Sequence, residues 1–171
     1  MNQEFVELRQ TEENDREAVL AALVCRAFKD HTSVFLETEV EHSMLNVLLG
    51  LLGVRVGKIS DSFSLRQKKD SLKKFEDDKI DILLATDDAV RGLDIRGVET
   101  VINYTMPSTF EEYLHIVARN VRAGKMGRSV SIVGEVDLTI AKEIAECARN
   151  PIESRTPSIS PSVHQSRMIV Q

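Results

Sequence analysis

The sequence predicts an α/β fold in which helices cover both faces of a parallel sheet. Short apolar runs typical of buried strands alternate with segments whose apolar residues recur at helical spacing. The run at 80–85 is apolar along most of its length instead of alternating, which indicates a strand buried on both faces. Strands of this kind, each followed by a helix, are typical of a parallel sheet.

Each element rests on a local signal. Asn14, followed three residues later by Glu17, is a capping-box pattern for the first helix, and Ser64 caps a later one. Gly53 ends the helix that contains Leu48. The expected strands are 3–9, 33–37, 54–59, 80–85, 100–104 and 129–134. The expected helices are 14–29, 39–52, one that starts after Ser64, a short turn through Val90, 108–118 and 136–149.

Length and composition indicate one domain followed by a tail. The 171 residues suffice for a single buried core, so we assign residues 1–150 to one domain. Residues 151–171 are rich in Ser and Pro and lack periodicity, so we expect them to be disordered. Cys25 and Cys147 each lie in an apolar helical pattern and are interpreted as reduced core thiols, which favours a cytosolic or nuclear compartment.

Charge and hydropathy limit the functions that the chain can have. The net charge is −5, so the chain as a whole does not attract nucleic acid, and any RNA binding has to be local. No apolar run approaches the roughly 18 residues that a membrane-spanning helix needs. The histidines and cysteines show no spacing typical of metal ligands, so we expect no metal site.

Two segments, 85–95 and 115–124, carry the residues most suited to ligand binding. Each follows a predicted strand, where parallel sheets bind their ligands. Arg119 and Arg122 lie three residues apart, on one side of a helical turn. Paired guanidinium groups there suit a polyphosphate, although a solvated pair in a loop is the simpler interpretation without a wider pattern.

The wider pattern is a family resemblance. Residues 80–87, with Arg-Gly-Leu-Asp-Ile at 91–95, resemble motif V of the DEAD-box RNA helicases, and 34–38 is similar to their motif IV. Residues 115–124 stand where that family has HRIGRxGRxG, and 101–108 is similar to the strand between these motifs. The resemblance covers about residues 3–150 and implies the C-terminal RecA-like domain. It is strongest to the ribosome-biogenesis branch, which implies ribosomal RNA processing and a nuclear, nucleolar location.

The resemblance also implies roles for individual residues. Arg119 and Arg122 would be arginine fingers on the γ-phosphate of ATP, supplied across a cleft to the other half of the enzyme. Asp94 would hydrogen-bond the ribose, and Gly92 would be a second nucleotide-binding residue whose backbone also approaches the RNA backbone closely. On the residues alone, Asp94 is equally well a helix cap or the partner of an arginine.

A second set of residues would contact RNA. By the resemblance these are Thr86, Arg91, Lys68 and Thr38, with Thr86 donating its hydroxyl to the RNA backbone. Thr86 is equally well the N-cap of the following helix, and both roles are compatible.

The sequence departs from the family mainly on the RNA side. Ser60 and Asp61 replace the family's His-Gly, while Leu65 and Lys68 replace the Gln and Arg of Gln-x-x-Arg. Asp88 replaces an apolar residue and adds negative charge beside the expected RNA path. The last motif differs at Ile116, Ala118 and Asn120. We therefore expect the ATP-facing arginines to be retained and RNA affinity to be weakened.

The chain holds only part of a helicase active site. It has no Asp-Glu-Ala-Asp sequence, and Gly57-Lys58 lacks the flanking residues of a Walker A loop. We expect ATP and Mg²⁺ to be held mainly by an N-terminal RecA-like domain outside this chain, and the chain alone to be inactive. The alternatives are a catalytically inactive helicase-like binding or scaffold module, or a diverged copy without function.

Overall fold

Seven parallel strands form a single sheet in the computed structural model, which describes residues 2–8, 16–118, 127–148 and 151–155. The strand order is β3-β4-β2-β5-β6-β1-β7, and every neighbouring pair is parallel. The strands are β1 Asn2–Glu7, β2 Thr32–Leu36, β3 Val56–Ile59, β4 Ile82–Thr86, β5 Thr100–Asn103, β6 Arg128–Val133 and β7 Glu153–Arg155. The predicted fold class is confirmed.

Helices follow the strands in the predicted order. They are α1 Arg16–Ala22, α2 Glu39–Leu51, α3 Leu65–Glu76, α4 Asp87–Val90, α5 Phe110–Ala118 and α6 Leu138–Cys147. Of these, α2 and α3 begin with capping boxes, Thr38 with Glu41 and Ser64 with Gln67. The predicted Ser64 cap is therefore confirmed, whereas Asn14 lies outside the described residues.

The sheet separates two apolar layers because consecutive strand residues point to opposite faces. Val34 of β2 and Leu84 of β4 pack with α1 and α2 on one face. Their neighbours Phe35 and Leu83 pack with α3 and α4 on the other face. The apolar side chains of α5 and α6 complete that second layer around Phe5. The central strands are therefore covered by apolar side chains on both faces.

The predicted first helix is not α-helical along its whole length. After α1 the chain continues as a π-helical turn, Leu23–Ala27, in which the Phe28 amide donates to the Leu23 carbonyl. This wider turn keeps Val24 and Phe28 buried and leaves Cys25 exposed. The expectation of a buried Cys25 is therefore wrong, because it assumed uniform α-helical spacing.

Two further expectations at the C-terminal end need correction. Cys147 is exposed instead of buried, because it is the last residue of α6 and lies one turn beyond the buried Ile144. Residues 153–155, assigned to the tail, form the edge strand β7, whose backbone pairs with β1. The structured domain therefore extends to Arg155, and residues 156–171 lie outside the described part.

We predict that α2 contributes to stability through one face only. Leu49 is fully buried, so Leu49→Ala should lower the free energy of unfolding by about 2–5 kcal/mol. Val47 is 55% exposed on the same helix, and Val47→Ala should change it by less than about 0.5 kcal/mol. Urea titration followed by circular dichroism measures both values, and equal losses would contradict the described packing of α2.

Candidate functional site

A cleft of about 790 Å³ opens at the carboxyl edge of the sheet. Its walls include the ends of two strands, Leu36 of β2 and Thr86 of β4, with the residues that follow them, and parts of the segments that follow β5 and β6: Glu37, Asp87, Asp88, Thr105–Ser108, Val136, Asp137, Thr139, Ile140 and Glu143. The convergence is a property of the parallel sheet, which brings the carboxyl ends of all its strands to one edge. The cleft therefore lies at the edge of the sheet where the sequence predicts a ligand site.

Among the described residues that line the cleft, carboxylates outnumber basic groups, and we call it the acidic cleft. Two guanidinium groups, those of Arg16 and Arg91, face an excess of carboxylates. The seven carboxylate residues are Glu37, Glu41, Asp87, Asp88, Glu112, Asp137 and Glu143. Such a lining repels phosphate, and it does not by itself fit a triphosphate or an RNA backbone.

Thr86, the last residue of β4, lines the cleft, and its side chain already makes a hydrogen bond within the chain. Its hydroxyl oxygen accepts a hydrogen bond from the Ala89 amide at 3.2 Å and so caps α4. The residue is 6% exposed. The capping role is thus present, and the hydroxyl proton of Thr86 is still able to be donated to a ligand.

Arg91 is paired with the acidic residues that precede it. Its guanidinium lies 2.9 Å from a carboxylate oxygen of Asp88 and 3.5 Å from one of Asp87. Asp88 is the residue that departs from the family pattern. Since Asp88 is the nearer of these partners, it directly lowers the positive charge that Arg91 offers to the cleft.

Arg16 lines the cleft as well, and the sequence analysis did not single it out. Its guanidinium donates to the carbonyls of Tyr104 at 2.8 Å and Ile132 at 3.0 Å, and pairs with Asp137 at 3.2 Å. It therefore joins the start of α1 to the chain segments at the ends of β5 and β6. Only the tertiary fold brings these partners within reach, so no sequence signal identified this role.

Glu39, at the start of α2, fixes the segment that replaces the family's His-Gly. Its carboxylate accepts hydrogen bonds from the Ser60 hydroxyl and the Asp61 amide, each at 3.0 Å. Burial raises the pKa of Glu39, but these bonds and the adjacent His42 outweigh it, so the pKa lies below its ordinary value. Ser60 is buried, and its segment is thereby held against α2.

His42 is the fully buried histidine of this cluster. Its ring nitrogens lie 3.2 Å from a Glu39 carboxylate oxygen and 2.9 Å from the Leu84 carbonyl. His115, the first residue of the segment 115–124 that resembles the last family motif, is instead exposed on α5. Burial distinguishes the two histidines, and sequence spacing does not.

Thr38 is exposed beside the acidic cleft and is engaged with Glu41. Its hydroxyl donates to the Glu41 carboxylate at 3.1 Å, and it accepts from the Glu41 amide at 3.3 Å. The expected RNA residues Thr86, Arg91 and Thr38 therefore lie near one another at this edge. Lys68, the fourth, is partly buried on α3 and does not line the cleft.

Of the expected nucleotide-binding residues, Asp94 and Gly92 lie in the exposed segment after α4. The Asp94 carboxylate accepts from the Arg96 side chain at 3.1 Å, which matches the interpretation of Asp94 as an arginine partner. Gly92 has φ of 76°, a conformation that favours glycine. Neither residue lines the acidic cleft, and Arg119 and Arg122 lie outside the described residues.

Three other kinds of site were tested on the described residues. Lys58 lies within β3, with its ammonium 5.8 Å from the centre of the Phe63 ring, so Gly57-Lys58 is part of a strand instead of a phosphate-binding loop. Within the described ranges no group of three or more His, Cys, Asp or Glu side chains is placed to hold a metal ion. None of the helices described there is long and apolar enough to span a membrane.

Comparison with known sequences identifies related proteins. Residues 15–124 match the model of the helicase conserved C-terminal domain. The chain is 48% identical over 155 residues to the human "Probable ATP-dependent RNA helicase DDX27", covering 91% of this chain and 20% of that protein. It is 45% identical over 149 residues to "ATP-dependent RNA helicase DRS1" of Mycosarcoma maydis, covering 84% and 16%. The chain thus spans about a fifth of the length of these relatives.

Solved structures agree with the sequence comparison. The E. coli DEAD-box protein SrmB, in a crystal structure with RraA, has a TM-score of 0.82 and 25% identity, over 92% of this chain and 91% of that one. A DEAD-box protein from Methanococcus jannaschii has a TM-score of 0.78 and 29% identity, over 91% and 42%. The matched region, the parallel sheet and the placement of the motifs together show that the chain belongs to the helicase conserved C-terminal domain family, as a C-terminal RecA-like domain of the DEAD-box RNA helicases.

Proposed function

We propose that this domain works as the C-terminal half of an ATP-dependent RNA helicase. It is paired with an N-terminal RecA-like domain that makes most of the contacts to ATP and Mg²⁺. The relatives are named as ATP-dependent RNA helicases, which supports the activity. The resemblance to their ribosome-biogenesis branch supports ribosomal RNA processing in the nucleolus. The chain corresponds to 20% of the human relative's length, which supports dependence on a second domain.

In this proposal the chain supplies positively charged side chains to an ATP cleft that it shares with the N-terminal domain. Arg119 and Arg122 stabilise the negative charge that develops on the transferring phosphoryl group, as fixed guanidinium groups do. Asp94 and Gly92 contact the nucleotide at the ribose. The pair of Asp94 and Arg96 is exposed, so it costs little for the Asp94 carboxylate to change partner.

RNA binding at Thr86, Arg91, Lys68 and Thr38 is weaker than the family motifs alone would imply. The observation that carries this conclusion is the excess of carboxylates among the described residues of the cleft, where Asp88 and Arg91, both 72% exposed, form an ion pair at 2.9 Å. Phosphate approaching Thr86 has to displace or share Arg91 while it passes these carboxylates. The hydroxyl of Thr38 is likewise shared with Glu41.

A second function, a helicase-like binding or scaffold module without catalysis, is favoured by the same carboxylates. They oppose RNA but suit a basic protein segment. The two functions differ in one property: only the first requires Arg119 and Arg122 for ATP hydrolysis.

We predict that a chimera carrying this chain will hydrolyse ATP. In it the chain replaces the corresponding region of the human relative, and RNA-stimulated release of phosphate is measured. Arg119→Ala and Arg122→Ala should each lower kcat by about 10³-fold, since an arginine finger contributes effects of this order. The isolated chain should show no hydrolysis above background.

Arg26→Ala is the matched control because Arg26 is an exposed arginine in the π-helical turn that follows α1. It should leave kcat unchanged. A folded chimera that is inert before any substitution, beside an active human parent, would contradict the helicase proposal and favour the binding module.

We also predict that Asp88→Ala will strengthen RNA binding. Removal of this carboxylate takes away the nearer partner of Arg91, leaves the more distant Asp87, and subtracts one negative charge, so the Kd for a fluorescent single-stranded oligoribonucleotide should fall about threefold to tenfold at low salt. Anisotropy titration measures the change. The effect should shrink as salt is raised, because exposed charges are screened.

Glu146→Ala provides the control for net charge. Glu146 is 67% exposed, close to the 72% of Asp88, and it also faces a basic residue, Lys142, on its own helix. This variant should change the Kd less than about twofold. An equal gain in both variants would show that total charge, and not the ion pair with Arg91, controls RNA affinity.

A further inference from the structure

Helix α2 carries an apolar face that nothing in the described structure covers. Val40 is 80% exposed, Val47 55%, Leu51 64% and Met44 36%. Single exposed apolar residues are common on proteins, but contiguous ones mark interaction surfaces. We call these four residues the α2 stripe.

The α2 stripe has the geometry of a helix-packing surface. Its members follow one another at spacings of four, three and four residues, the spacing of a coiled-coil seam. At 100° per residue they fall within about 60° of one another, and they extend about 16 Å along the helix axis. Leu45 and Leu49 lie on the opposite face of α2 and are fully buried. The helix therefore packs against the core through that face and not through the stripe.

The surroundings of the α2 stripe allow another helix to approach closely. Ser43 and Gly50 flank it along one side, and both are small and exposed. Apart from Glu41, near the start of α2, no charged residue of this helix lies among the stripe residues. A single partner helix can therefore lie along the stripe with its own apolar side chains between Val40, Met44 and Val47.

Charge decides which kind of partner fits. At its Val40 end the stripe meets Glu37 and Glu41, which also line the acidic cleft. These carboxylates complement a basic segment and repel phosphate, and an apolar stripe offers no donors to an RNA backbone. A second copy of this chain is disfavoured because each copy has a net charge of −5.

We propose that the α2 stripe is a docking site for an amphipathic helix of a protein partner, whose basic residues reach Glu37 and Glu41. The apolar face of that helix packs along the stripe and supplies most of the affinity. The basic end sets the direction in which the partner lies and brings it to the mouth of the acidic cleft. The site is independent of ATP hydrolysis and does not require the proposed helicase function.

The test uses the whole chain and two synthetic peptides. The matched peptide spans about three heptads, with leucines at coiled-coil spacing and arginines at one end. The control peptide has the same composition with its leucines spread around the helix. Fluorescence anisotropy should give a micromolar Kd for the matched peptide and at least about tenfold weaker binding for the control.

Variants locate the peptide on the chain. M44S/V47S should weaken binding about tenfold while the chain stays folded, whereas L65S, at a leucine outside the stripe that is 58% exposed, should not weaken it. E37Q/E41Q should weaken binding several-fold and reduce its dependence on salt. Gln at position 41 preserves the capping box with Thr38, so α2 itself is kept.

Several results would overturn the docking proposal. Equal binding of the two peptides, or equal losses in L65S and M44S/V47S, would show non-specific adhesion. Sedimentation equilibrium that finds a dimer of the unmodified chain, abolished by M44S/V47S, would assign the stripe to a second copy. Displacement of the peptide by a single-stranded oligoribonucleotide would assign the surface to RNA.

Discussion

The convergence of parallel strand ends at one edge of the sheet is the constraint on which the rest of this structure depends. It places the residues after β2, β4, β5 and β6 around a common cleft, although they are far apart in sequence. Apolar layers on both faces hold those strand ends in register, so the side chains that follow them have little freedom to move apart. Any change of charge in these segments therefore acts on a single site.

Negative charge has accumulated at this edge, and its partners explain what the departures from the family motifs do. Asp88 binds Arg91, Glu41 binds Thr38, and Glu39 holds the segment of Ser60 and Asp61 against α2. In each case a group expected to face RNA, or the segment that replaces one, is engaged inside the chain. Of the residues expected to face ATP, Asp94 and Gly92 do not belong to this network, and Arg119 and Arg122 lie outside the described residues.

The sequence predicted the sheet, its helices and the edge at which the site lies, because hydrophobic periodicity and capping residues such as Ser64 are local signals. It did not predict the exposure of Cys25, since one π-helical turn changes which residues face the core. It also missed Arg16 and His42, whose partners Ile132 and Leu84 are distant in sequence and become neighbours only in the folded chain. The α2 stripe was missed for a related reason: α2 has two apolar faces, and only the structure shows that the face with Leu45 and Leu49 is the buried one.

The salt dependence of RNA binding by the unmodified chain tests the central claim, that the RNA-facing edge has lost its positive charge. The Kd for a single-stranded oligoribonucleotide is measured across a range of salt concentrations. Since each neutralised phosphate on a single strand contributes about −0.7 to the slope of log K against log[salt], the account predicts a slope of magnitude below about 1. A slope of magnitude about 2 or more, equivalent to three or more phosphates neutralised, would contradict it.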